Sequence, residues 1–209
     1  LIVAGKIASV GAGPATPPAN ATVIDTRGKV ITPGLIDTHS HLGVYPAPRA
    51  NAHLDGNEMT TPITAGARAV DAVWVQDPGF QRALAGGVTT LQILPGSGNL
   101  IGGNAVTIKL REATAARQMQ LAGAPPGLKM ACGENPKRVY GNQKKTPMTR
   151  MGNLALQRDA FMRAHQLIRE WNLWRQSEQQ RMQEDNQKHA TYLRERELRQ
   201  QRAEACASG

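Results

Sequence analysis

A chain of 209 residues is long enough to bury one or two cores, and its longest apolar runs fall short of the roughly 18 to 20 residues of a membrane span, so no membrane partner is expected. The net charge of +9 is uneven: residues 1–128 hold nine Lys and Arg against seven acids, and residues 129–209 hold sixteen against nine. Acids are interleaved with those bases, only 4% of residues are aromatic and no recognised module is present, which points to a solvated helix face and away from a nucleic-acid partner.

Leu1 to Val10 and Ala21 to Val30 read as strands, joined by a Gly-, Pro- and Ala-rich loop over 11–20. Pro33 and Gly34 punctuate the chain, and residues 35–42, Leu-Ile-Asp-Thr-His-Ser-His-Leu, read as a short buried strand. His39 and His41 stand two apart, so both imidazoles fall on one face. Two neutral imidazoles so placed can hold one divalent cation, although a bare H-x-H is also what two unrelated polar residues at a strand end look like. Residues 43–64 form a long loop in which His53, Asp55, Asn57 and Glu58 read as substrate contacts or, the favoured reading, as ordinary hydrophilic positions. Asp77 caps a helix over 80–85, with Pro78 at its start and Gly86-Gly87 at its end. The β-branched run 88–94 is a strand, and the Gly-rich segment 95–99 after it has no phosphate-binding spacing.

A further strand is expected over 105–111, and another over 128–132 that carries Lys129 between apolar neighbours. A lysine turned inward there needs a charge partner or a lowered pKa. Residues 133–138 read as a loop of close-set polar groups, with Glu134 and Asn135 as candidates for substrate contact. From Asn153 to Trp174 apolar residues recur at helical spacing and predict a face that packs on neighbouring elements. Residues 175–205 are rich in Gln, Glu and Arg and predict a long exposed helix, with no sustained heptad for a coiled coil. Cys132 and Cys206 form neither a disulfide framework nor a Cys-x-x-Cys site, and they leave the compartment, cytoplasmic or exported, open.

Four stretches carry a resemblance. P-G-L-I-D-T-H-S-H-L at 33–42, G-G-V-T-T at 86–90, G-G-N-A-V at 102–106, and G-L-K-M-A at 127–131 followed by G-E-N-P-K at 133–137 resemble the amidohydrolase superfamily, in its imidazolonepropionase-related branch, over about residues 1–165. The resemblance implies an α/β fold: an incomplete (β/α)8 TIM-like barrel, first strands only, preceded by part of a small β-sandwich and followed by a long helical segment. The implied divisions are residues 1–33 for the partial sandwich, 34–174 for the N-terminal part of the barrel and 175–209 for the charged helical extension. The run 128–132 becomes the third barrel strand. His39 and His41 become metal ligands, zinc being the first choice. Lys129 becomes a carboxylated bridge between two metals, or else a partner of Glu134 or of a substrate carboxylate.

The implied chemistry is hydrolysis of a non-peptide or cyclic amide C–N bond in a small molecule, by a metal-activated water. Members are longer than this chain, so it is expected to be an N-terminal part, without the later histidines and the general-base Asp, and inactive alone. Exposed strand edges would then favour self-association. The alternative is a non-catalytic fragment whose basic helix mediates protein interaction.

Overall fold

The computed structural model describes residues 1–13 and 16–207, with side chains to residue 204. The Cys206 side chain, Pro14 and Ala15 of the first predicted loop, and the last two residues of the helical extension lie outside the described residues.

The fold is mixed α/β, with three small sheets and a long C-terminal helix. Its centre is a three-stranded sheet of β3 (Leu35–Ser40), β4 (Val88–Ile93) and β6 (Val106–Lys109), in the order β3-β4-β6, where β1 and β2 are the short strands Ile2–Val3 and Lys6–Ile7. The β3–β4 pair is parallel, so the chain must cross over between them, and it does so through the loop after β3 and helix α1 (Pro78–Ala85). The β4–β6 pair is antiparallel, with Leu91 opposite Ile108 and Ile93 opposite Val106. Those four side chains therefore share one face. Phe80 of α1, Val44 of the loop, and Ala116 and Met119 of α2 (Ala116–Met119) close over them to make the core.

Helix α1 begins as its sequence requires: Pro78 occupies the first turn and the Asp77 carboxylate accepts the Gly79 N–H. It stops at Gly86, and Gly87 (φ 87°) turns the chain directly into β4.

Several expectations are corrected. The stretch 1–10 is not one strand but a hairpin, because Ala4 (φ 49°) and Gly5 (φ 74°) turn it back so that Ile2 pairs with Ile7. Residues 21–30 form no strand. Among the described residues nothing lies alongside to complete a ladder, and Val23, Ile24 and Val30 are 70–88% exposed. The predicted third barrel strand, β7 (Leu128–Met130), does not lie beside β4. That edge is taken by β6, and β7 pairs antiparallel with β5 (Ile101–Asn104). β5 and β6 are separated by Ala105 alone and join different sheets; Gly103, at φ 121°, lets the backbone pass Ala67, whose carbonyl oxygen would lie 2.4 Å from a Cβ.

The polar loop expected over 133–138 is the first half of helix α3 (Glu134–Gly141), since Pro136 falls within the first turn, where its missing N–H costs nothing. The C-terminal segment is one helix, α4 (Arg150–Ala207), 58 residues or about 87 Å long. Its expected packing face is open: Phe161, Ile168, Trp171 and Trp174 are all 47–56% exposed. Among the described residues no helix is long and apolar enough to cross a membrane.

Candidate metal centre

Strand β3 delivers the two histidines. His39 lies within it, and its N–H donates to the Asp37 carboxylate (2.9 Å). His41 follows its last residue. The rings meet edge to face, 5.3 Å between centroids and 88° between planes, so the H-x-H spacing does bring the imidazoles together.

The proton on His41 is fixed by its partner. Nδ1 lies 2.8 Å from the Leu94 carbonyl oxygen. A carbonyl only accepts, so Nδ1 carries the hydrogen, and in the neutral ring Nε2 keeps a bare lone pair. Burial pushes the His41 pKa down, opposed by the Leu94 carbonyl and Asp37 and aided by Lys129 and His39, which favours that neutral ring.

Lys129 comes to the same place from a strand 90 residues away in sequence. It is 7% exposed, whereas Leu128 beside it is 44% exposed, so β7 turns its lysine inward and its leucine out. Its Nζ stands 3.3 Å from His39 Nε2, within hydrogen-bond reach of that ring nitrogen. Burial lowers the Lys129 pKa. Two imidazoles and an amine are thus the groups here able to hold a cation. Among the described residues no set of three His, Cys, Asp or Glu side chains gathers into a metal-binding group.

Glu134 and Asn135 stand in the first turn of α3 and are occupied by Arg138, Glu134 at 2.7 Å and Asn135 at 3.4 Å. Glu134 therefore pairs with arginine rather than with Lys129. His53 stacks flat on Trp74, centroids 4.2 Å apart, and His165 lies exposed on α4.

The loops around the histidines are held by groups the sequence did not single out for that task. Besides capping α1, the buried Asp77 carboxylate accepts the N–H groups of Gly43 (2.7 Å) and Ala47 (3.1 Å), which ties down the chain just past His41. Buried Asn99 donates to the carbonyls of Glu58 (2.5 Å) and Thr61 (2.9 Å). Tyr140, fully buried in α3, donates to the same Thr61 carbonyl at 2.6 Å. An Asn in a Gly-rich loop and a Tyr in a polar helix give no signal of such distant partners.

Comparison with known proteins gives this arrangement a setting. The chain is 42% identical over 166 residues to the amidohydrolase tasK of Hapsidospora irregularis, a match covering 75% of this chain and 17% of that protein. It is 34% identical over 116 residues to an imidazolonepropionase of Idiomarina loihiensis, covering 47% of this chain and 28% of that enzyme. The crystal structure of an amidohydrolase from Thermotoga maritima superposes with a TM-score of 0.71 at 42% identity, over 78% of this chain and 42% of that one. No family model matches. By these likenesses the chain is a member of the amidohydrolase superfamily, and it spans less than half the length of each of these three relatives.

Proposed function

We propose that this chain contributes the first part of a TIM-like barrel and, with it, part of the metal centre of a hydrolase acting on non-peptide or cyclic amide C–N bonds. The observation that carries this reading is the meeting of His39, His41 and Lys129 from two separate sheets. The donor set suits a divalent cation of zinc type, because imidazole nitrogen is among its preferred ligands and the Leu94 carbonyl already selects the tautomer with a free Nε2. When bound, the cation supplies Lewis acidity, which makes water a nucleophile near neutral pH and polarises a substrate carbonyl. His41 is oriented for that task by Leu94, while the Asp37 carboxylate holds the His39 backbone N–H. Lys129 keeps a buried amine beside the pair; joined to carbon dioxide with release of one proton, it would give a carbamate whose oxygens suit a divalent cation.

Hydrolysis of an amide also needs a group that moves a proton from water to the leaving nitrogen. Among the described residues, no third His, Cys, Asp or Glu forms a metal-binding set with the pair. The chain as a separate polypeptide is therefore proposed to bind metal weakly and to turn nothing over. The test is cobalt(II) absorption spectroscopy with a parallel assay on cyclic amides. A visible band that His39→Ala abolishes, without turnover, supports the reading; no band, or a band indifferent to His39→Ala, overturns it.

A second reading rests on the open side of α4. Phe161, Ile168, Trp171 and Trp174 are half exposed on a helix that holds eleven Lys and Arg against eight acids, which fits a protein-interaction segment. Capture of a partner by the full chain, lost when residues 153–207 are removed and kept in His39→Ala, would favour it over the metal site.

A further inference from the structure

The His41 ring has a second neighbour. The Tyr45 ring meets it edge-on, with centroids 5.8 Å apart and planes at 89°. Tyr45 is in turn gripped from the loop that follows: the Asn57 amide donates to its hydroxyl, and the Asn57 carbonyl oxygen accepts the Gly98 N–H at 2.8 Å. Gly98 lies in the loop after β4, which leaves that strand through Leu94, the residue whose carbonyl holds His41 Nδ1. The contacts therefore close a ring: His41 to Tyr45, to Asn57, to the 95–99 loop, and through Leu94 back to His41.

Three glycines make room for it. A Cβ on Gly56 would lie 2.2 Å from the Tyr45 ring, one on Gly96 would lie 2.0 Å from the Asn57 amide nitrogen and 2.8 Å from the Tyr45 hydroxyl, and one on Gly98 would lie 2.9 Å from the Asn57 oxygen. None of the three has a positive φ, so the backbone does not demand glycine there. Space for Tyr45 and Asn57 is what the missing side chains provide.

We propose that Tyr45 is a positioning residue for His41: locked by Asn57, its ring meets the imidazole edge-on, adds to the contacts from Leu94 and His39, and so sets the direction of Nε2. The proposal rests on the metal-site reading above but concerns this chain's own side chains. Neighbours that orient a liganding histidine commonly change metal affinity by about 10- to 100-fold when removed.

The experiment uses the full chain and two readouts. Calorimetric titration with cobalt(II) should show the dissociation constant raised about tenfold in Tyr45→Leu and a few-fold in both Tyr45→Phe and Asn57→Ala, by the scale of such orienting contacts. Tyr45→Phe removes one of the two bonds that Asn57→Ala removes, so the double variant should equal Asn57→Ala alone. Gly56→Ala, which drives a methyl into the ring, should behave as Tyr45→Leu. In the metal-free protein, the His41 ring signals in proton–carbon NMR spectra should move in every variant, while the methyl signals of Leu91 and Ile108, buried in the core, stay in place and report an intact fold.

Cobalt affinity in Tyr45→Leu within about twofold of the parent, with His41 signals unmoved, overturns the proposal. Additive effects of the two single changes also overturn it. If the parent chain binds no cobalt, the metal-site reading falls, and the movement or stillness of the His41 signals alone decides the positioning role.

Discussion

Asp77 should be the most sensitive single residue for the shape of the loop beyond His41. Its carboxylate accepts three backbone N–H groups: Gly43 at 2.7 Å on one oxygen, and Gly79 at 2.8 Å and Ala47 at 3.1 Å on the other. Asp77 is 2% exposed, Gly43 and Gly79 are buried, and Ala47 is half-buried. Water cannot easily take the place of the lost acceptor, and each stranded donor costs about 1–3 kcal/mol. Asp77→Ala is expected to destabilise the fold by about 3–5 kcal/mol, a large share of the about 5–15 kcal/mol typical of a domain. Asp77→Asn keeps one oxygen for Ala47 and Gly79 but sets an amide N–H against that of Gly43, so it should cost about 1.5–3 kcal/mol. Urea unfolding followed by circular dichroism measures both. A cost for Asp77→Ala under about 1 kcal/mol, or equal costs for the two variants, would refute the claim that this carboxylate holds the loop.

Other expectations are narrower. Tyr140→Phe removes the 2.6 Å bond to the Thr61 carbonyl, which Asn99 still satisfies, so about 1 kcal/mol should be lost with no change in the urea slope. His41 has its pKa lowered on folding, so between that value and the ordinary 6.5 the unfolded chain binds more protons. Stability should therefore rise with pH across that window and fall as the solution is acidified through it, and His41→Gln should flatten the profile. Lys129 is lowered too, so stability should also climb between its folded pKa and 10.5, a rise that Lys129→Met removes. Residues 176–204 are exposed apart from half-buried Glu178, and the ion pairs along them are exposed, so ending the chain at Arg175 should cut helical signal in proportion to length and leave the unfolding midpoint of the rest in place.

What could be read from sequence was local. The H-x-H pair needs only strand geometry to bring its rings together, and the Asp77-Pro78 start and Gly86-Gly87 end of α1 need only capping chemistry. Lys129 was readable as a lysine among apolar neighbours, but its place beside His39 depends on β7 joining β5, a pairing between segments about 25 residues apart. The stretch 21–30 has the composition of a strand and no ladder, since β-propensity describes a fit to neighbours that must be there to be fitted. The apolar side of α4 reads as a packing face for the same reason and is left open. Tyr45, Asn57 and Asn99 were illegible because each acts across loops whose path the core decides.

The most direct measurement is a calorimetric zinc titration of the full chain beside His39→Ala, His41→Ala and Lys129→Met. Weak binding in the parent, absent from both histidine variants and reduced in Lys129→Met, is the expected result. No heat from the parent, or binding that survives loss of either imidazole, would contradict a metal centre built on these three nitrogens.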